Sequence, residues 1–86
     1  MVSTPEIRLP CPDEKKFDVV MALVDEFKND YAVIDVDGAR VLFDGGWGLV
    51  RASNTQPVLV LRFEADSRDR LDAIKKVMME KLAEKM

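Results

Sequence analysis

Apolar residues recur along this chain in two periods, and the period changes twice. Phe17, Val20, Met21, Val24 and Phe27 follow one another at three- and four-residue steps, the spacing of one helical face. Asp13 stands where a helix N-cap belongs, its carboxylate able to accept from the first unpaired N–H groups, and Asn29-Asp30 marks the stop. From Ala32 the period drops to two. Ala32 to Asp37 alternates, as does Ala39 to Phe43, and Asp37-Gly38 between them predicts a two-residue hairpin turn with positive φ at both positions. Asp44-Gly45-Gly46 marks a second turn, Trp47 to Ala52 a third strand and Pro57 to Glu64 a fourth. In that fourth strand Leu59, Leu61 and Phe63 point to one face, and Val60, Arg62 and Glu64 to the other. Asp66 or Ser67 then caps a second helix with the stripe Leu71, Ile74, Val77, Met78 and Leu82. On its outer face Arg68–Asp72, Asp72–Lys76 and Lys76–Glu80 lie four apart, where each pair adds about 0.3 kcal/mol. Ahead of the first helix, Glu6 to Leu9 alternates and is ended by Pro10 and Pro12, as a short edge strand would be. The order (β)αββββα predicts a two-layer α+β sandwich. Its four-stranded antiparallel sheet, extended at most by the short N-terminal strand, carries two main helices on one side.

Composition narrows what such a domain does. Eighty-six residues make one domain, residues 1–86, with room for one core but not for a deep cleft walled on all sides. Nearly half the residues are apolar (48%) and 34% are charged, the balance of a globular domain. The net charge of −3 gives no attraction for nucleic acid or anionic lipid. There is no histidine, so the usual general base and neutral metal ligand are missing. Cys11 is the one cysteine, which excludes an internal disulfide and a cysteine-based zinc site. The N-terminus lacks the basic start and apolar run of a signal peptide, and Val19 to Val24 is too short an apolar run to span a bilayer. With the lone thiol, this points to the cytoplasm. A binding module, or a piece of something larger, fits better than a self-sufficient enzyme.

The chemistry concentrates between Gly45 and Phe63. Those nineteen residues hold no Asp or Glu although the chain has sixteen acids, against about three or four expected by proportion. The only charges there are Arg51 and Arg62. Between the third and fourth strands, Arg51-Ala52-Ser53-Asn54-Thr55-Gln56-Pro57 offers a guanidinium, two hydroxyls, two carboxamides and backbone N–H groups. That inventory suits a phosphate, which takes a planar fork of charged donors plus small neutral donors converging on its oxygens. Ser, Asn and Thr between two strands also serve as ordinary turn residues, and no glycine-rich phosphate motif is present. Elsewhere the readings are structural. Trp47 is expected in the core, Cys11 as an inert small residue and Met78 as packing. Asp35, Asp37 and Asp44 read as turn residues without a calcium-loop pattern, and Lys75, Lys76, Lys81 and Lys85 as a solvated helix face.

Three runs, taken together, resemble a known family: Asp37-Gly38-Ala39-Arg40-Val41, then Gly46-Trp47-Gly48-Leu49-Val50-Arg51-Ala52-Ser53-Asn54-Thr55, then Pro57 to Ala65. They look like the C-terminal domain of the α-D-phosphohexomutases, and most like its bacterial phosphomannomutase/phosphoglucomutase branch. The resemblance covers nearly the whole chain. It implies a fold like that of the TATA-binding protein, and four-domain enzymes that interconvert hexose 1-phosphates and 6-phosphates. A phosphoserine in the first domain makes and consumes a bisphosphorylated sugar, Mg2+ is held by the second domain, and the third reads sugar hydroxyls. The fourth grips the phosphate that is not being transferred and closes the cleft. Its matching residues here are Arg51, Ser53, Asn54 and Thr55, with no catalytic residue and no metal ligand in this chain. The implied partners are mannose or glucose phosphates, the bisphosphate intermediate and the other three domains. Many members carry glutamate where this chain has Gln56, which stays outside the expected site. The rival reading is a free-standing protein-interaction module with Arg51 incidental.

Overall fold

The computed structural model describes all residues from Met1 to Met86. In chain order the elements are β1 (Val2–Ser3), β2 (Ile7–Pro10), α1 (Asp13–Phe27), β3 (Ala32–Ile34), β4 (Ala39–Phe43), β5 (Gly46–Ala52), β6 (Val58–Ala65) and α2 (Arg68–Lys85). The expected α+β class and the helix-on-sheet arrangement hold. The sheet is larger than four strands with one N-terminal addition: it has six strands, all antiparallel, in the order β1-β6-β5-β4-β3, with β2 also on β6. β1 and β2 lie end to end along β6, and Thr4 bridges them by exchanging bonds with the Phe63 backbone. Val2–Ser3 is too short to carry a period, which is why the sequence does not show it.

Both helices cover one face. Leu59, Leu61, Phe63 and Ala65 of β6, Val50 of β5, and Ala39 and Val41 of β4 meet Leu71, Ile74, Met78 and Leu82 of α2 and the inner face of α1 in one buried core. The inner face of α1 is Val19, Val20, Leu23, Val24 and Phe27, with Lys16 continuing it toward the N-terminus. Phe17 and Met21, expected on that face, are 52% and 65% exposed. The buried stripe is rotated by about one residue from the expected one, because Val19 and Leu23 fill the sheet-facing side completely. Asp13 is the first helical residue and not the N-cap. Pro12 supplies the capping carbonyl to Lys15 and Lys16, and the Asp13 carboxylate turns to Lys16. In α2, Ser67 is the cap, its Oγ accepting from the Arg70 N–H at 3.1 Å.

Two further expectations change. A two-residue turn at Asp37-Gly38 would pair Val36 with Ala39, but the register is Ile34↔Arg40 and Val33↔Val41, leaving a five-residue connection. A one-residue slip exchanges the two faces of a strand. Here it puts Val33 against the core and leaves Ile34 48% exposed. Only Gly38 takes positive φ. The four-apart pairs on α2 do not form. Lys81 and Lys85 instead reach across to Glu26 on α1, at 2.9 and 2.6 Å, and tie the helices together.

Glu26 gives a pH prediction. The Lys85 ammonium first, and that of Lys81 second, hold its carboxyl below the ordinary glutamate value against a smaller opposing effect of burial. A carboxylate depressed by folding contributes stability above its unfolded value and loses it as pH falls through its folded one. Wild type is therefore expected to unfold at higher urea than Glu26→Gln near about pH 7, with the gap closing below about pH 4. Gly46 gives a packing prediction. A Cβ there would strike the Glu64 carbonyl oxygen and come within 2.7 Å of Ile74 Cδ1 and 2.9 Å of Ala65 Cα. Gly46→Ala should lower unfolding stability by about 1–3 kcal/mol in urea titration, since backbone on the other strand has to move.

Candidate functional site

The loop from Ser53 to Pro57 continues the β5–β6 hairpin beyond its last paired residues, Ala52 and Leu59. Ser53 N–H donates to the Val58 carbonyl at 3.1 Å, which closes the ladder at the loop's base. The Ser53 hydroxyl oxygen then accepts from the N–H groups of Thr55 at 3.3 Å and Gln56 at 3.2 Å, so serine curls the loop over itself. These two backbone donors, counted from sequence among the groups open to an anion, are engaged inside the loop. The hydroxyl proton of Ser53, the Asn54 side chain and the Thr55 hydroxyl have no partner within the chain, and both Asn54 and Thr55 are exposed.

Arg51 is the next-to-last residue of β5. Its neighbour Val50 is fully buried under the helices, so Arg51 projects to the helix-free face, half-buried and without an ion pair. Gly38 fixes its surroundings. At φ +140°, Gly38 passes so close to β5 that a Cβ there would lie 2.6 Å from the Val50 carbonyl oxygen and 2.8 Å from Arg51 Cβ. The glycine read from sequence as a hairpin corner thus lets the β3–β4 connection lean on the backbone that carries Arg51.

A concavity of about 920 Å³ runs from Phe17 and Met21 of α1, past Val36 and Gly38, to Arg51 and Asn54. Ser53 and Thr55 lie outside its lining, so the structure brings two of the four expected residues into the concavity and holds the other two beside it in the loop. The same wall contains Asp25, Asp35 and Asp37. The run free of acids from Gly45 to Phe63 is thus free of them along the chain but not in space. Asp35 is tied to Lys28 at 3.0 Å, and that ammonium holds its carboxyl below the ordinary aspartate value. No group of three or more His, Cys, Asp or Glu side chains gathers as a metal would require, and the chemistry of this loop is derived without one.

Sequence reasoning placed Gln56 outside the site and did not single out Lys16, yet both anchor the loop. The Gln56 side-chain oxygen accepts from Arg8 Nη1 at 2.8 Å, and its carbonyl accepts from Lys16 Nζ at 3.0 Å and from the Val58 N–H at 2.8 Å. The signal for Lys16 was its helical register with Val19, Val20 and Leu23: a lysine on an apolar stripe has a partner to meet. Trp47 departs from its expected core position. It is half-buried on the helix-free face, with the Arg40 guanidinium 4.5 Å from its ring centroid, a cation–π contact.

Comparison with known proteins agrees with this architecture. The family described as phosphoglucomutase/phosphomannomutase, C-terminal domain, matches residues 6–81. A phosphomannomutase/phosphoglucomutase of Pseudomonas putida is 51% identical over 82 residues, covering 94% of this chain and 18% of that protein. A phosphoglucosamine mutase of Methanococcus aeolicus is 41% identical over 76 residues, 86% of this chain and 16% of that protein. A crystal structure of a phosphoglucomutase/phosphomannomutase family protein from Burkholderia thailandensis superposes with a TM-score of 0.71 at 37% identity, over 98% of this chain and 18% of that one. The chain thus spans less than a fifth of the length of these relatives. With a hairpin loop, a free arginine beside it and a family match over residues 6–81, the chain belongs to the phosphoglucomutase/phosphomannomutase C-terminal domain family.

Proposed function

We propose that this chain is the phosphate-gripping, cleft-closing domain of a four-domain phosphohexomutase that interconverts hexose 1-phosphate and 6-phosphate. The observation that carries the reading is the Arg51 guanidinium, unpaired on the helix-free face, next to a loop whose Ser53, Asn54 and Thr55 side-chain donors are free while its backbone is already closed. In this reading Arg51 offers a two-pronged, charged contact to the phosphate that is not being transferred. Asn54 and Thr55 donate from the exposed tip, and Ser53 adds its one hydroxyl proton while its oxygen keeps the loop shape. The loop needs little reorganisation to bind, which keeps the entropic cost of ordering small.

The domain's contribution is positional. Holding the remote phosphate converts binding energy into orientation at the reacting end, where a phosphoserine of another domain exchanges its phosphoryl group through a bisphosphorylated sugar. In this scheme Mg2+ is held by another domain of the enzyme. The open, shallow concavity suits one wall of a cleft completed by the rest of the enzyme. No helix is long and apolar enough to cross a membrane, and the setting proposed for the enzyme, as for its phosphosugar substrates, is the cytoplasm.

The test is a titration of the 86-residue chain with glucose 1-phosphate, followed by backbone amide shifts. Saturable changes confined to Ser53, Asn54, Thr55 and Arg51 are expected. Arg51→Ala should weaken them at least about tenfold, since a charge-assisted contact contributes about 1.5–3 kcal/mol. The reading fails if no localised change occurs by about 50 mM, where an interaction of about 2 kcal/mol registers, or if Arg51→Ala titrates like wild type. Gly38→Ala should also weaken the titration, by pushing the β3–β4 connection off Arg51.

A further inference from the structure

Lys16 is the one charged residue buried in this chain, at 4% exposure. Lysine is almost never this buried without a partner, because withdrawing an ammonium from water has to be offset by hydrogen bonds and an opposite charge. The partners are specific. Nζ pairs with Asp13 Oδ1 at 2.8 Å on its own helix and donates to the Gln56 carbonyl at 3.0 Å, forty residues away. The Phe17 ring centroid lies 5.4 Å from the same nitrogen. Asp13 largely neutralises the ammonium, so what Lys16 gives the loop is a fixed donor more than a field.

That donor meets the loop at an informative place. The N–H of Gln56 is held by Ser53 Oγ, and its carbonyl by Lys16. Asn54 and Thr55 therefore sit between two tethers, one from inside the loop and one from the first turn of α1. Without Lys16, the Gln56 carbonyl keeps only the N–H of Val58, the first residue of β6, a bond that ties it to the sheet and not to α1. Two other contacts reach the loop from outside, Arg8 on the Gln56 side chain at the exposed surface and the Cys11 N–H on the Pro57 carbonyl at 2.9 Å, so Lys16 is the one of the three that holds the Gln56 backbone itself.

We propose that Lys16 is a positioning residue for the anion-binding loop: its ammonium holds the Gln56 carbonyl so that Asn54 and Thr55 keep the geometry that receives a phosphate. This rests on the anion-binding role given to Arg51 and the loop, and extends it to a residue that touches no ligand.

The experiment compares wild type, Lys16→Met and Ile74→Val in the 86-residue chain. Methionine keeps the apolar stem and removes the amine. Ile74→Val trims the core beneath α2, away from the loop, and supplies a variant of lowered stability with the tether intact. Two measurements are made: amide hydrogen exchange without ligand, and the glucose 1-phosphate titration. In Lys16→Met, exchange at Thr55 and Gln56 should rise roughly tenfold beyond any change in global unfolding, and the Kd should weaken by roughly 3–10-fold with Arg51 intact. In Ile74→Val both should follow global stability only. The proposal is overturned if exchange at Thr55 and Gln56 stays at the wild-type level in Lys16→Met, or if Ile74→Val loosens these amides as much. It is equally overturned if the loop loosens and the Kd does not move. Failure of the anion-binding reading looks different: wild type itself then shows no titration, while the exchange comparison still reports whether Lys16 holds the loop.

Discussion

The antiparallel pairing of β5 with β6 is the constraint on which the rest of the molecule depends. It runs without interruption from Gly46↔Ala65 to Ala52↔Leu59, and each strand carries a second duty. β6 is paired on its other side by β1 and β2, so its inner residues Leu59, Leu61 and Phe63 are locked at the centre of the core. β5 can approach this closely because Gly46 and Gly48 face the helices where larger residues would meet Ile74, Phe63 and Met78. The alternation that buries Val50 is what exposes Arg51 on the opposite face, one residue on. The direction of the arginine therefore follows from the register of the hairpin, and the loop at its end inherits a rigid base.

The charges that shape this domain sit at its junctions. The chain is acidic overall, yet the helix-free face collects Arg8, Arg40, Arg51 and Arg62, each at an outward position of its strand. Arg40 is drawn to the Trp47 ring and Arg8 to Glu6 and Gln56, while Arg51 is left unpaired beside the loop. Between the layers, Lys81 and Lys85 close on Glu26 and Lys16 closes on Asp13 and Gln56. One set ties helix to helix and the other ties helix to loop. The Glu26 pairs are part-exposed and such pairs add little to stability, so their value lies more in fixing the geometry of the join, while buried Lys16 needs its partners to offset the loss of water.

Periodicity read the core of α2, the strand boundaries of β4 to β6 and the two faces of β6, because each of those follows from burial on one side. It misread features decided by a partner far along the chain. The stripe of α1 was taken one residue out of phase, since Phe17 and Met21 are apolar but look into the open concavity, and hydropathy does not distinguish a cleft wall from a core. Asp37-Gly38 has the composition of a tight turn, but the fit of Val33 against the core selected a different register. The charges of α2 have good i,i+4 spacing but those pairs stay open, while Lys81 and Lys85 meet one carboxylate on α1, Glu26, which the spacing along α2 does not show. The loop's inventory of donors was legible from its residues, and its match to a phosphate came with the family resemblance. Its closure by Ser53 and its tether to Lys16 were not, because hydrogen bonds to backbone leave no mark on composition.

The division of labour within this loop bears on how one domain can serve several sugars. Relatives that match it are named for mannose, glucose and glucosamine phosphates, across about 40–50% identity. On the proposed reading, a site built from Arg51, one serine hydroxyl and the donors of Asn54 and Thr55 would recognise charge and tetrahedral oxygens before any ring substituent. Discrimination by such a site between two hexoses bearing the same phosphate is small, since a group that is not contacted contributes nothing to a difference in affinity. On the proposed reading, such a loop would accept either end of a phosphorylated sugar, as a reaction passing through a bisphosphate would require. The same reading puts the loop's rigidity ahead of its area: with so few contacts, affinity would depend on those few donors being in position before a phosphate arrives.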